Sequence, residues 1–299
     1  MIASTPKTIP EYLDQLRAAL AGADPALLQD ALYDAEEYLR SEMAEHPEVD
    51  EATLLASIAG SYGAPEEVAD IYRQTETTVV QALRTPPAPP RRSALGRFFA
   101  VAADSRTYAA LFYMLLSLAT GIFYFTWAVT GISLSAGLLV LIIGIPFIVL
   151  FMGTVYALSM VEGRLVEAML GVRMPRRPLY TGGGKTFIDR VKDIFADART
   201  WSTLLYMVLM LPLGIVYFTV AISMLSVSLG LVIGSIVQMI HGAGWLQIDN
   251  FRSELPDALM PLLFVGGVLL LFATLHLARG VGYVHGQLAK HMLVKSAQA

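Results

Sequence analysis

Residues 103–138 read ADSRTYAALFYMLLSLATGIFYFTWAVTGISLSAGL, and residues 196–231 repeat that stretch without a gap as ADARTWSTLLYMVLMLPLGIVYFTVAISMLSVSLGL. The two copies are 93 positions apart, and identical residues fall at equivalent places: Arg106 and Arg199, Tyr113 and Tyr206, Gly121 and Gly214, Tyr124 and Tyr217. Each copy contains an apolar run that reaches the roughly 20 residues needed to cross a bilayer. The sequence therefore predicts an all-α membrane protein built from two related halves.

Composition supports this class and divides the chain by charge. The 299 residues are 55% hydrophobic and only 15% charged, and the net charge is −4. Residues 1–83 contain 4 basic and 16 acidic residues, so 4 − 16 = −12, and the remainder carries +8. The chain has no cysteine, which excludes disulfides, thiolate metal sites and a cysteine nucleophile. The N-terminus has no apolar core of a signal peptide, so we expect the acidic region to remain in the cytoplasm.

Residues 1–83 form the first predicted domain, a small helical unit that we call the head. Asp24 followed by Pro25 predicts a helix start, the pair His46-Pro47 predicts its end, and Pro65 with two following acids predicts another start. Apolar residues recur at helical spacing between these points.

The head resembles the HAAS family, a short helical signalling module often found ahead of membrane segments. The resemblance rests on YLDQLRAAL near the start, on the acidic LYDAEEYL helix and on YGAPEEVADIY, and it covers about residues 10–73. It implies a cytoplasmic regulatory or protein-contact domain without catalytic residues, and hence a protein partner bound through residues 9–83.

The remaining segments follow in order. Residues 84–92 are a Pro-rich linker, and residues 93–171 are membrane repeat 1, with an interfacial helix and spans near 107–130 and 134–160. Residues 172–186 are a basic, Gly-rich loop, and residues 187–299 are repeat 2, with a second interfacial helix and spans near 200–222 and 258–279. A partner-binding role is the alternative for both interfacial helices. Basic residues stay on the cytoplasmic side of membranes, so we expect both repeats to enter from that side as parallel repeats, and both termini to lie inside.

The second repeat contains an insertion near 226–257. After residue 231 the copies rejoin at an offset of 123, which is 30 more than 93. Fifteen apolar residues, 226–240, reach only about 22 Å, which is short of a hydrocarbon core of about 30 Å. We therefore expect four spans plus one re-entrant or interfacial segment, although a further span remains an alternative.

Three sets of residues are candidate sites. Trp245, Asp249 and Arg252 in the insertion are candidates for sensing on the outer face, although they also suit a capped and solvated loop. His276 and Gln238 are candidates for a polar site inside the membrane, and His276 equally suits a hydrogen bond at the interface.

The third set, Arg173, Arg176 and Arg177, lies in a stretch from residue 162 to 199 that holds eight bases and five acids. We expect these arginines to bind the acidic head or lipid headgroups. Nearby, Gly182-Gly183-Gly184-Lys185-Thr186 imitates the end of a phosphate-binding loop. The required earlier glycine is replaced by Leu179 and no buried strand precedes it, so we predict no nucleotide cofactor.

The membrane region resembles the sensor domain found at the N-terminus of many bacterial, especially actinobacterial, histidine kinases. The resemblance rests on GLLVLIIGIPFIVL (137–150), VEGRLVEAMLG (161–171) and LARGVGYVHGQLAKHML (277–293), and it covers about residues 94–293. Such domains usually precede a kinase core, and none is present in this sequence, so we expect output through the head or a separate protein.

No motif for an enzyme was found, and we predict neither catalysis nor nucleic-acid binding. The leading function is a non-enzymatic sensor or regulator in the bacterial cytoplasmic membrane, in contact with lipids. The alternatives are a transport or lipid-handling component and a scaffold subunit of a membrane complex. A homo-oligomer is compatible with the sequence.

Overall fold

The computed structural model describes residues 5–83, 93–141, 144–177, 196–241, 247–248, 251–252 and 256–294. These ranges are almost entirely helical, which confirms the predicted all-α class. The chain divides into two compact units, which are residues 1–84, 134–206 and 287–299 in the first and residues 85–133 and 207–286 in the second.

The head consists of α1 (Ile9–Ala19), α2 (Pro25–Glu45), α3 (Glu51–Ser61) and α4 (Pro65–Leu83). Helix α2 begins where the sequence predicts, because the Asp24 carboxylate accepts the N–H of Ala26 at 2.9 Å and Pro25 occupies the first turn. Gly63, with φ of +112°, allows the turn between α3 and α4, and its carbonyl accepts the Tyr12 hydroxyl at 2.8 Å. The apolar faces close over a common core that includes Tyr12, Leu16, Leu39 and Leu55.

After the linker, a short helix α5 (Ala94–Phe99) and a 3-10 turn (Ala100–Ala103) lead into the long helices. These are α6 (Ser105–Leu138), α7 (Gly144–Leu170), α8 (Ala198–His241) and α9 (Met260–Leu293), with a two-residue strand pair, β1 (Gln247–Ile248) and β2 (Phe251–Arg252), before α9. The four long helices are each long and apolar enough to cross a bilayer. The chain is a multi-pass membrane protein.

Helices α6 and α8 begin at equivalent positions of the two sequence copies. The Asp104 carboxylate accepts the N–H of Arg106 at 3.1 Å, and the Asp197 carboxylate accepts the N–H of Arg199 at 3.0 Å. Each aspartate caps its helix, so the predicted halves start with the same local structure.

The same two helices cross at a pair of glycines. A Cβ at Gly121 would lie 2.4 Å from the carbonyl oxygen of Met210, and a Cβ at Gly214 would lie 2.3 Å from that of Ser117. Ser117 and Met210 are themselves 93 positions apart, so the contact is reciprocal. Small residues at such a crossing let helix backbones approach closely within a membrane.

The structure differs from the sequence-based expectation in the insertion. Residues 226–240, expected to form a separate re-entrant or interfacial segment, continue the third long helix without a break to His241. No proline, asparagine or aspartate interrupts this stretch, and Gly230 and Gly234 alone do not end a helix. At 44 residues, α8 is about 66 Å long, roughly twice the thickness of a hydrocarbon core.

The first predicted interfacial helix corresponds to α5, and it contacts another helix of the protein. Phe98 and Phe99 of α5 pack against Phe272 of α9, with ring centroids 5.8 and 4.7 Å apart. Val101, in the following turn, is buried. The second interfacial helix and residues 178–186 of the basic, Gly-rich loop lie outside the described residues, as does the linker.

Candidate functional site

The main polar site of the first unit is centred on Arg173, which follows α7 in a stretch that we call the basic segment (residues 171–177). Its guanidinium lies 3.0 Å from Asp30 and 3.2 Å from Glu76, both in the head, and 3.8 Å from Glu167 of α7. The Arg173 side chain is only 9% exposed, and those of Asp30 and Glu167 are 8% exposed. One buried cation therefore joins carboxylates from the head and from a membrane helix.

Asp30 also binds the main chain of the basic segment. One carboxylate oxygen accepts the N–H of Arg176 at 2.7 Å and that of Arg177 at 2.8 Å. The neighbouring Gln29 donates its amide N–H to the Arg177 carbonyl at 2.7 Å. Because Gln29 and Asp30 are consecutive in α2, one turn of this helix satisfies two donors and one acceptor of the segment.

Burial sets the electrostatics of this cluster. Burial raises the pKa of the Asp30 carboxyl, against the hydrogen bonds from Arg176 and Arg177 and the charge of Arg173, which lower it. Burial lowers the pKa of Arg173, but the charges of Glu76 and Asp30 outweigh it, so the net pKa is raised and the guanidinium stays charged. An ionised Asp30 in this position consequently depends on Arg173 for compensation.

The other two predicted arginines point to different partners. The Arg177 side chain lies 2.8 Å from the Asp34 carboxylate in the head, with its guanidinium 5.8 Å from the centroid of the Tyr33 ring. The Arg176 side chain instead lies 3.0 Å from Glu167 of α7. Of the three side chains, Arg173 and Arg177 contact the head, whereas Arg176 contributes only its backbone N–H there.

A cavity of about 370 Å³ opens beside this cluster. It is lined by both the head and the region around the basic segment, namely Leu27, Asp30, Asp34, Tyr72, Thr75, Glu76, Val79, Arg164, Arg173, Arg176 and Arg177. The Oε1 atom of Glu76 is buried and has no hydrogen-bond partner among the described residues. The site therefore retains room, and Glu76 offers it an unused acceptor.

Two further contacts join the head to the ends of other long helices. Arg199, in the first turn of α8, donates to the side-chain oxygen of Gln29 at 3.3 Å. Lys290, in the last turn of α9, forms an ion pair with Asp24. The head therefore contacts α8 and α9 near their ends as well as the segment that follows α7.

A second set of polar contacts lies within the helices, and sequence reasoning missed it. In the first unit, the Tyr206 hydroxyl donates to Glu162 at 2.8 Å, and Glu162 is 1% exposed. In the second unit, the Tyr113 hydroxyl lies 2.7 Å from Nε2 of the fully buried His285, and the Tyr217 hydroxyl lies 3.4 Å from Nδ1.

These contacts occupy equivalent places in the two sequence copies. Tyr113 and Tyr206 are 93 positions apart, while Glu162 and His285 are 123 apart, which are the two offsets of the repeat. The sequence therefore shows that Glu162 and His285 are equivalent positions of the repeat, and both are buried.

The intramembrane residues proposed from sequence do not form one site. Nε2 of His276 lies 3.0 Å from the Phe98 carbonyl, and His276 is exposed. The Gln238 amide donates to Asp257 at 3.2 Å and is buried. Of the outer-face candidates, Trp245 and Asp249 lie outside the described residues, and Arg252 is described only as part of β2.

Comparison with protein families gave a match over the membrane region. The model of a family described as "Putative sensor" matches residues 113–293, which is more than half of the chain and covers the long helices but not the head. Searches of curated proteins and of solved structures gave no significant match.

Proposed function

The chain belongs to the family described as "Putative sensor", and from this premise we propose that it is a non-enzymatic membrane sensor whose output is the docking and release of its acidic head. In this proposal the protein lies in the bacterial cytoplasmic membrane with both termini inside. The state of the bilayer, or a ligand of the long helices, changes the strength of docking, and a released head is free to bind a protein partner.

One observation carries the proposal, which is the placement of Arg173 between Asp30 and Glu76 of the head and Glu167 of α7. A displacement of the segment that follows α7 would separate these groups. Because Arg199 and Lys290 also contact the head, docking depends on the positions of the ends of α8 and α9 as well. A single small domain thus responds to three membrane helices.

The energetics favour a reversible contact. The desolvation cost of a buried ion pair offsets much of its Coulomb attraction, and exposed pairs contribute about 0–1 kcal/mol each. The net free energy of docking from such contacts is therefore small. A ligand or lipid with a modestly different affinity for the docked and released states can then shift the population from one state to the other.

Lipid headgroups are the best-supported stimulus. Arg164, Arg176 and Arg177 have side chains that are 47–51% exposed, so anionic headgroups can reach them, whereas Arg173 is nearly buried. Anionic lipid would compete with Asp34 for Arg177 and weaken docking, in the manner of a surface electrostatic interaction.

A distance measurement tests the proposal. The chain lacks cysteine, so spin labels can be placed uniquely at the exposed positions Ser41 on α2 and Ala168 on α7. In nanodiscs of neutral lipid we expect a narrow distance distribution. Anionic lipid, high salt and Arg177→Gln should each add a broad, released population, about two- to fivefold more than in the unmodified state.

Arg176→Gln is the matched control, since it removes the same charge from an adjacent and equally exposed position. Its side chain contacts Glu167 and not the head, so the distance distribution should change little. If anionic lipid, salt and Arg177→Gln all leave the distribution unchanged, head release is not the output of this protein.

A further inference from the structure

The basic segment contacts the head as a bound peptide would. We infer that the groove between α2 and α4 of the head is a binding site for a non-helical basic peptide with arginines four positions apart. Residues 173–177 fill it in cis, and a partner protein presenting such a segment binds it once the head is released. This inference rests on the proposed function and adds to it the chemistry of the partner.

The first argument is the conformation of the segment. Pro175 has a fixed φ and no N–H, and it disfavours helical geometry at Met174, so the sequence itself keeps the segment out of a helix. A non-helical ligand leaves its backbone groups free for an acceptor, and a bend at residues 176 and 177 turns two consecutive N–H groups toward the same oxygen. Asp30 and Gln29 take those groups at residues 176 and 177, with distances of 2.7–2.8 Å. This part of the recognition does not depend on the side chains of the bound segment.

The second argument is the selection of arginine at two positions. Arg173 donates from Nη2 to Asp30 and from Nε to Glu76. The single ammonium group of lysine does not reproduce this pair of hydrogen bonds from two separate nitrogen atoms. Arg177 combines Asp34 with the face of Tyr33. The residues between them face elsewhere, because Met174 packs on Gly163 of α7 and the Arg176 side chain contacts Glu167.

The third argument is that the cis segment does not saturate the groove. Glu76 keeps one buried oxygen without a partner among the described residues, and the cavity of about 370 Å³ lies beside it. Part of the charge of the basic segment is also directed to Glu167, which is not in the head. A separate basic peptide has no such competing contact, and its remaining donors can reach Glu76.

The groove is masked while the basic segment occupies it. A tethered ligand acts at an effective concentration in the millimolar range, so a free peptide competes poorly with it. Emptying the groove should therefore strengthen binding of an added peptide by about tenfold or more.

Fluorescence anisotropy on the full chain in neutral nanodiscs measures this effect. The probe is a labelled peptide with the sequence of residues 171–178, GVRMPRRP. We expect binding to Arg173→Gln/Arg177→Gln at least about tenfold tighter than to the unmodified protein. Arg177→Gln alone keeps the buried Arg173 cluster and should give a smaller gain. A peptide with glutamine at the positions of Arg173 and Arg177 should not bind, and adding Asp30→Asn to the double variant should abolish binding of the original peptide.

The spin-label distance in the same variants separates this inference from the proposed function. If the double variant releases the head but binds the peptide no better than the unmodified protein, the groove is not a peptide site, although release still stands. If binding survives Asp30→Asn, the peptide is held by general charge attraction, and the inference is wrong. If the variant does not release the head, the proposed function itself fails.

Discussion

Replacing Arg173 by glutamine should undock the head. The change leaves Asp30, Glu76 and Glu167, which are 8–14% exposed, without their shared cation. Removal of one partner from a buried ion pair costs about 3–5 kcal/mol. We take the lower value because undocking lets water reach the carboxylates of the head. A loss of about 3 kcal/mol corresponds to about a 100-fold shift toward the released state.

Amide hydrogen exchange reports this shift directly. The N–H groups of Arg176 and Arg177 donate to Asp30 and are protected only while the head is docked. Their exchange in the full chain in nanodiscs should accelerate by about 100-fold in Arg173→Gln.

Arg164→Gln is the control, since it removes one charge at a side chain that is 50% exposed and 3.7 Å from Glu167. For such an exposed pair the acceleration should stay below about fivefold. Equal exchange rates in the two variants would refute the reasoning, because they would show that Arg173 does not hold the segment against the head.

Three further predictions concern topology, packing and pH. A cysteine at Ser133 should react with an impermeant maleimide in intact cells and one at Ser296 only after lysis, and labelling of Ser296 in intact cells would contradict the four-span topology. Gly121→Ala should lower stability in detergent by about 1–3 kcal/mol, since its Cβ would meet a carbonyl at 2.4 Å, while Gly137→Ala, with open space, should not; equal melting temperatures would exclude the close crossing. Burial raises the pKa of Tyr62 to about 12 from 10.0, so stability from its neutral form is lost as pH rises from about 10 through 12. The melting temperature of the isolated head should fall in that interval and not between about pH 7 and 9, and a constant value throughout would contradict the burial of Tyr62.

The helices of the head were predictable because local chemistry fixes their ends. The cap at Asp24, the prolines at positions 25 and 65, and the left-handed Gly63 act within one turn of the chain. The four long helices were predictable for a related reason, since in lipid the backbone must satisfy its own hydrogen bonds.

The end of α8 was not predictable from length. Residues 226–240 are too few to span a bilayer alone, but nothing in the sequence states that they must stand alone. Continuing an existing helix costs less than starting a new one, because nucleation is the unfavourable step. The sequence shows that residues 226–240 are apolar, but it does not show that they continue α8.

Charge led to the expectation that Arg173, Arg176 and Arg177 bind the head, but charge alone does not distinguish these three side chains. Arg176 and Arg177 are adjacent and identical in sequence terms, but their side chains have different partners, Glu167 and Asp34. The contact of Tyr206 with Glu162 joins residues 44 positions apart on two different helices, and no local pattern of the sequence indicates it.

The reciprocal glycine crossing fixes the register of α6 and α8. Sliding either helix by one turn, about 5.4 Å, would bring a side chain to the place of a glycine, and at Gly214 even a Cβ would lie 2.3 Å from a carbonyl oxygen. The residues one turn away from Gly214 are Met210, Leu211, Tyr217 and Phe218, and all are large. The two helices therefore fit together in one axial position.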